Sequence, residues 1–189
     1  MNFVQPIRDP EIIEGIQHYL KLRSIRNYLF FTMGIYSGLR VSDLRQLRAG
    51  MVRGKTHVYI REKKTKKEKR FIIHPAIRPE LERYIEKLND NDYLFPSRQI
   101  KKKSKLRKQP LDRSSAYKML NKAARQFGLT EIGTHTMRKT WGYHLYMKDR
   151  RNLALLMEMF NHDQETTTLR YIGFTQDMMD AAILELSYP

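Results

Sequence analysis

Cysteine is absent from all 189 residues, so neither a disulfide framework nor a thiolate metal site can be built. Long apolar runs are absent too; no stretch approaches the roughly 18 apolar residues that a membrane-spanning helix needs. The opening MNFVQPIRDPEII lacks a basic end followed by an apolar stretch, and so lacks the form of a signal peptide. There is no His-Glu-x-x-His pattern, and the acidic residues are dispersed as on solvated helix faces. Neither a metal nor another cofactor is expected. These absences describe a protein of the cytoplasm, and the length suits one domain with its own core.

Negative charge is also scarce. Asp and Glu number 20 against 36 Lys and Arg, a net charge of +16. REKKTKKEKR (61–70) carries seven basic and two acidic residues, and RQIKKKSKLRK (98–108) seven basic and none acidic. Together they supply 12 of the 16 net charges. Concentrated positive charge attracts polyphosphate through counterion release and long-range steering. Neither window is an amphipathic helix with an apolar face, so a membrane surface fits less well than nucleic acid.

Most of the chain has helical periodicity. Asp9-Pro10 reads as a cap and first turn, followed by Ile12, Ile13, Ile16 and Leu20 at helical spacing. Residues 25–37 suit a buried helix ended by Gly38, with a short helix over 41–47. The period then changes: THVYIRE, a polar KKTKKEK and an apolar RFIIHP form a hairpin with a basic turn. Helices are expected from Pro79, from Asp112 as cap (Tyr117, Leu120, Ala124, Phe127), and over 135–148 with Thr134 as cap. Segments 153–160, 166–171 and 177–186 complete the set. The expected fold is α+β and mainly α, with a small antiparallel sheet.

Three motifs stand at helix ends. SGLRVSDL places Arg40 just after a helix-ending glycine, with Asp43 three residues on. THTMRKTW places His135 and Arg138 at i and i+3, on one helix face near its positive end. FNHDQETTTLRY brings His162 and, nine positions later, Tyr171. Taken singly each has a plain structural explanation: a surface Arg40–Asp43 pair, a capping histidine, a half-buried tyrosine. Trp141, within the second motif, reads as core rather than a base-stacking platform.

In their order these motifs resemble the catalytic domain of the tyrosine recombinases, the phage-integrase family that includes lambda integrase. The resemblance runs from about residue 9 to residue 186. It implies that Arg40, His135, Arg138 and His162 serve a nucleophilic Tyr171, with Asp43 steadying Arg40. The family lysine lies in the hairpin turn, often as KTG; Lys64 matches best, with Lys63 and Lys66 as rivals. The resemblance implies double-stranded DNA as partner, cleaved and rejoined through a 3′-phosphotyrosine without metal or ATP. Lys63, Lys66, Lys67, Lys101, Lys102, Lys103, Lys105, Arg107 and Lys108 are the expected DNA contacts.

Family members usually carry a further N-terminal DNA-binding domain, for which there is no room before residue 9; residues 1–189 read as one catalytic domain. The helical stripe Met178, Met179, Ala182, Ile183, Leu186 could pack on its own domain or dock into a neighbouring protomer. A non-catalytic DNA-binding module and a type IB topoisomerase are the alternatives from other functional classes.

Overall fold

The computed structural model describes residues 4–98, 109–174, 178 and 183–187. Among the described residues it contains eight α-helices and one two-stranded antiparallel sheet, the expected mainly α architecture. Helix α1 (Pro10–Arg23) starts where Asp9 accepts a hydrogen bond from the Glu11 N–H, and it buries Ile16 and Leu20. Helix α2 (Ile25–Ser37) is buried on nearly every side from Tyr28 to Gly34 and forms the central rod.

Gly38 ends α2 in the left-handed region, at φ 62°. A Cβ on it would also lie 2.4 Å from the Trp141 ring. Either reason favours glycine. Helix α3 (Val41–Leu44) follows at once, stopping short of the expected residue 47 because the chain tightens into turns at Arg45 and Gln46.

Strands β1 (His57–Arg61) and β2 (Glu68–Ile72) pair with Val58 opposite Phe71 and Ile60 opposite Lys69. Val58, Ile60, Phe71 and Ile73 turn inward, while Tyr59 and Ile72 face out. Strand β2 starts two residues before the apolar run, since backbone pairing does not require apolar side chains. Helix α4 (Arg78–Ile85) covers one side of the core through Leu81 and Ile85.

Helix α5 (Arg113–Arg125) is capped by Asp112, whose carboxylate accepts from the Ser115 N–H at 2.9 Å. Leu120 and Ala124 are buried, but Tyr117 faces solvent. The basic residues Lys101, Lys102, Lys103, Lys105, Arg107 and Lys108 lie outside the described residues. So do residues 177 and 179–182 of the expected 177–186 helix.

Helix α6 (Thr136–Lys148) begins later than expected, and Thr134 does not cap it. His135 holds the cap position, and Thr136 Oγ1 accepts the Gly133 N–H at 3.0 Å. Helices α7 (Leu153–Phe160) and α8 (Glu165–Tyr171) close the fold. A second core of Tyr143, Tyr146, Leu156, Phe160 and Ile172 gathers against α6. Trp141 packs on this cluster, edge-on to Phe160. A Cβ on Gly142 would come within 2.8 Å of both Ile172 and Phe160, so glycine lets α6 approach the segments on either side of His162. Helix α6, touching both cores, brings the three sequence motifs together.

Candidate active site

Each motif residue sits where an element begins or ends. Arg40 occupies the N-cap position of α3, fixed there by the turn at Gly38. Arg138 lies in the first turn of α6 and is only 3% exposed. Its guanidinium donates to the carbonyl of Gly38 and, at 2.7 Å, to that of Met159. The ring of Phe160 packs 4.7 Å from its Cζ. Arg138 thus ties the end of α2 to the end of α7.

His162 depends on a second left-handed residue. Asn161 has φ 56° and lets the chain turn sharply out of α7, with the His162 N–H reaching the Met157 carbonyl at 2.9 Å. Asparagine and glycine tolerate this conformation best, which gives a physical reason for the asparagine just before His162. His162 Nδ1 lies 3.1 Å from Thr168 Oγ1, one helical turn before Tyr171.

Tyr171 ends α8, and its hydroxyl lies 3.2 Å from His135 Nδ1. Phe160 and His162 pack against its ring, with centroids 4.8 and 5.4 Å away. Burial pushes the Tyr171 phenol above its ordinary value of 10.0, against the pull of the Arg138 and Arg40 guanidiniums. Burial also lowers His135 below 6.5, helped by Arg113, Arg138, Lys139 and Arg40. His162 is lowered as well, by burial and then Arg138. Near neutral pH the site therefore holds a protonated phenol beside an imidazole able to accept its proton.

The surroundings of Arg40 differ from the sequence expectation. Its ion-pair partner is Glu62, at 2.6 Å, in a close contact without an aligned hydrogen bond. Asp43 instead accepts the Lys63 N–H at 2.9 Å, fastening the base of the hairpin to α3. Glu62 is fully buried and also lies 3.5 Å from Lys69. Burial raises the Glu62 carboxyl, but the Thr65 hydroxyl, Arg40 and Lys69 outweigh it and leave it below the usual carboxylate value.

Lys69 donates to the Met159 carbonyl at 2.6 Å, the same oxygen that holds Arg138. Burial lowers its ammonium pKa, partly offset by Glu62. Sequence reasoning missed both residues, although β-alternation carries the signal. Glu62 continues the inward phase of Val58 and Ile60, and Lys69 that of Phe71 and Ile73. A charged residue in a buried phase needs a partner.

The hairpin lysines remain apart from this cluster. Lys63, Lys64, Lys66 and Lys67 are exposed, and Lys67 donates to Asn161 Oδ1 at 2.9 Å. Lys66 has φ 60°, the conformation a glycine prefers. In Lys64-Thr65-Lys66 it stands where KTG has its glycine. Arg40, Arg138 and Lys69 around one carboxylate leave a positive surplus able to receive a phosphate. Among the described residues, no three His, Asp or Glu side chains form a metal-binding group.

A model described as "Phage integrase family" matches residues 9–177. The chain belongs to the phage integrase family. A probable integrase/recombinase of Bacillus subtilis, YoeC, is 40% identical over 182 residues, covering 96% of each chain. A tyrosine recombinase of Pseudothermotoga lettingae is 28% identical over 196 residues, covering 95% of this chain and 65% of that one.

Among solved structures, XerA recombinase has a TM-score of 0.73 at 17% identity, over 100% of this chain and 66% of that one. XerH site-specific recombinase in a post-cleavage complex with its palindromic difH substrate gives 0.71 at 20% identity, over 94% and 51%. The chain thus spans about half to two thirds of these solved recombinases. Its fold is that of tyrosine-recombinase catalytic domains, and it is an enzyme of that class.

Proposed function

We propose that this phage integrase family member cleaves and rejoins double-stranded DNA at specific sites through a covalent 3′-phosphotyrosine on Tyr171. The observation that carries the reading is the Tyr171 hydroxyl, 3.2 Å from His135 Nδ1, in a site also built from Arg40 and Arg138. His135 takes the phenol proton as the oxygen attacks phosphorus. The new O–P bond forms as the bond to the 5′-oxygen breaks, and that oxygen leaves with the electron pair.

Charge growing on the non-bridging oxygens is met by Arg40 and Arg138, whose planar guanidiniums can each donate two hydrogen bonds. His162 adds a donor. Lys64, carried on the exposed hairpin turn, delivers a proton to the departing 5′-oxygen once DNA covers the turn. Attack by a different 5′-hydroxyl reverses the steps and joins strands. The phosphotyrosine keeps the energy of the broken bond, so the cycle needs neither ATP nor a metal.

Residues 1–189 act in this reading as one catalytic domain working on DNA in the cytoplasm. The two basic windows hold the DNA backbone through Lys63, Lys66, Lys67, Lys101, Lys102, Lys103, Lys105, Arg107 and Lys108. Self-association on DNA through segment 177–186 belongs to the same proposal. It is supported by Ile183, Leu184 and Leu186, exposed at 62%, 85% and 59%.

The test is covalent trapping at low salt on nicked duplexes tiled across the DNA flanking the gene, resolved on a denaturing gel. A slow, protease-sensitive band that vanishes in Tyr171→Phe is expected. An adduct that persists in Tyr171→Phe removes the nucleophile assignment. Binding without joining on every duplex favours a non-catalytic module.

A further inference from the structure

One face of α6 holds an extended strap. Its residues Thr136, Lys139, Thr140, Tyr143 and His144 recur at helical spacing, and all meet residues 4–8. Thr136 Oγ1 donates to the Gln5 carbonyl at 3.0 Å, and Lys139 Nζ to the Val4 carbonyl at 2.7 Å. The Ile7 N–H donates to Thr140 Oγ1 at 2.9 Å, and His144 Nε2 lies 3.0 Å from the Ile7 carbonyl. Arg8 lies near the Tyr143 ring. On the other side, the Gln5 N–H reaches the Glu131 carbonyl at 2.9 Å. Ile7 is 2% exposed, so the strap is anchored by apolar burial as well.

Two of these contacts reach Tyr171. The Lys139 ammonium that holds Val4 also lies 5.2 Å from the centre of the Tyr171 ring. Arg8 donates at 2.9 Å to the Gly173 carbonyl, two residues beyond Tyr171. A Cβ on Gly173 would fall 2.8 Å from Pro6, so strap and chain are in contact there. Tyr171 ends a helix of only seven residues, too short to hold its last side chain by helical cooperativity alone.

We propose that residues 4–8, through Lys139 and Arg8, form a positioning device that holds the Tyr171 ring in its reacting orientation. This rests on Tyr171 being the nucleophile. Lys139 and Arg8 are positioning residues here, acting on the ring and its helix end rather than on phosphate. Displacing the strap moves the ammonium from the ring and frees the end of α8 together.

The experiment uses the full chain with 3-fluorotyrosine at position 171 only, followed by ¹⁹F NMR, without DNA. The otherwise wild-type protein should give one narrow line. In Lys139→Met the line should broaden or split, and the phenol titration midpoint should rise, because a cation near the ring favours the phenolate. Lys139→Arg should restore both readouts. Arg8→Ala should broaden the line without a comparable rise in midpoint, and it serves as the second variant should Lys139→Met not fold. A folded Lys139→Met with unchanged line and midpoint overturns the proposal, as does an Arg8→Ala line as narrow as wild type. Persistence of the covalent adduct in Tyr171→Phe would overturn the nucleophile reading instead, leaving the NMR result to stand by itself.

Discussion

At the scale of single residues, the His135–Tyr171 contact links the chemistry to pH. Burial and neighbouring cations hold the folded-state pKa of His135 below 6.5, so the fold favours the neutral ring. This contributes stability that is present above pH 6.5 and lost as pH falls through the depressed value. In the proposed mechanism cleavage needs the same neutral ring. Its rate should stay level through pH 6.5 and fall only as pH drops through the depressed value, and His135→Gln should lower the rate and remove that acid limb. Rates of covalent-complex formation across pH 5 to 8 check this; an acid limb unchanged in His135→Gln would assign it to another group.

The two arginines are separable by their surroundings. Arg40→Lys keeps a charge but loses the planar fork, and cleavage should slow roughly a hundredfold or more. Arg138→Lys should cost activity similarly and stability too, because Arg138 also satisfies the Gly38 and Met159 carbonyls. An unpaired buried acceptor costs about 1–3 kcal/mol. Thermal unfolding of both variants beside their single-turnover rates tests the distinction.

Elements explain what the sequence made legible. The Gly38 stop, the Asp9 and Asp112 caps and the hairpin follow from local chemistry, and they emerge in the fold close to their expected places. Thr134 misled because the Thr136 N–H that a cap there would use is already donated to the Gly133 carbonyl, at 3.1 Å. The resemblance implied Asp43 as the residue steadying Arg40, and no local spacing could reveal Glu62, brought to Arg40 by the sheet. Lys139 was equally hidden, since its contacts are to Val4 and to a ring 32 positions along the chain.

Two predictions belong to the hairpin. Glu62→Ala leaves Arg40 and Lys69 without their buried carboxylate and should destabilise the protein by about 3 kcal/mol. Denaturant unfolding measures it, and an unaltered midpoint would mean the pair contributes nothing. Lys66→Gly should raise stability by about 0.5 kcal/mol, since relief of the left-handed lysine outweighs the extra entropy of glycine.

For the molecule as a whole, charge is the dominant property. No helix among the described residues is long and apolar enough to cross a membrane, while the net charge of +16 favours polyanions. DNA affinity should fall linearly with log salt, with a slope of about −0.9 per phosphate contacted. Replacing Lys101, Lys102 and Lys103 by glutamine should reduce that slope by up to about 3. Fluorescence titrations between low and physiological salt would show it; an unchanged slope would take those lysines out of the DNA contact. The residues of the candidate site could be picked out from motif order across distant segments, whereas the ion network and the strap required the folded chain to bring their parts together.

The central claim is that Tyr171 carries the covalent bond, and mapping the DNA–protein linkage tests it most directly. Trypsin cutting after Arg170 leaves residues 171–189 as one peptide, in which Tyr171 and Tyr188 are the tyrosines. Fragmentation by mass spectrometry should place a nucleotide 3′-phosphate on Tyr171, at the peptide's first residue. A nucleotide on Tyr188, or on any residue outside this peptide, would contradict the account.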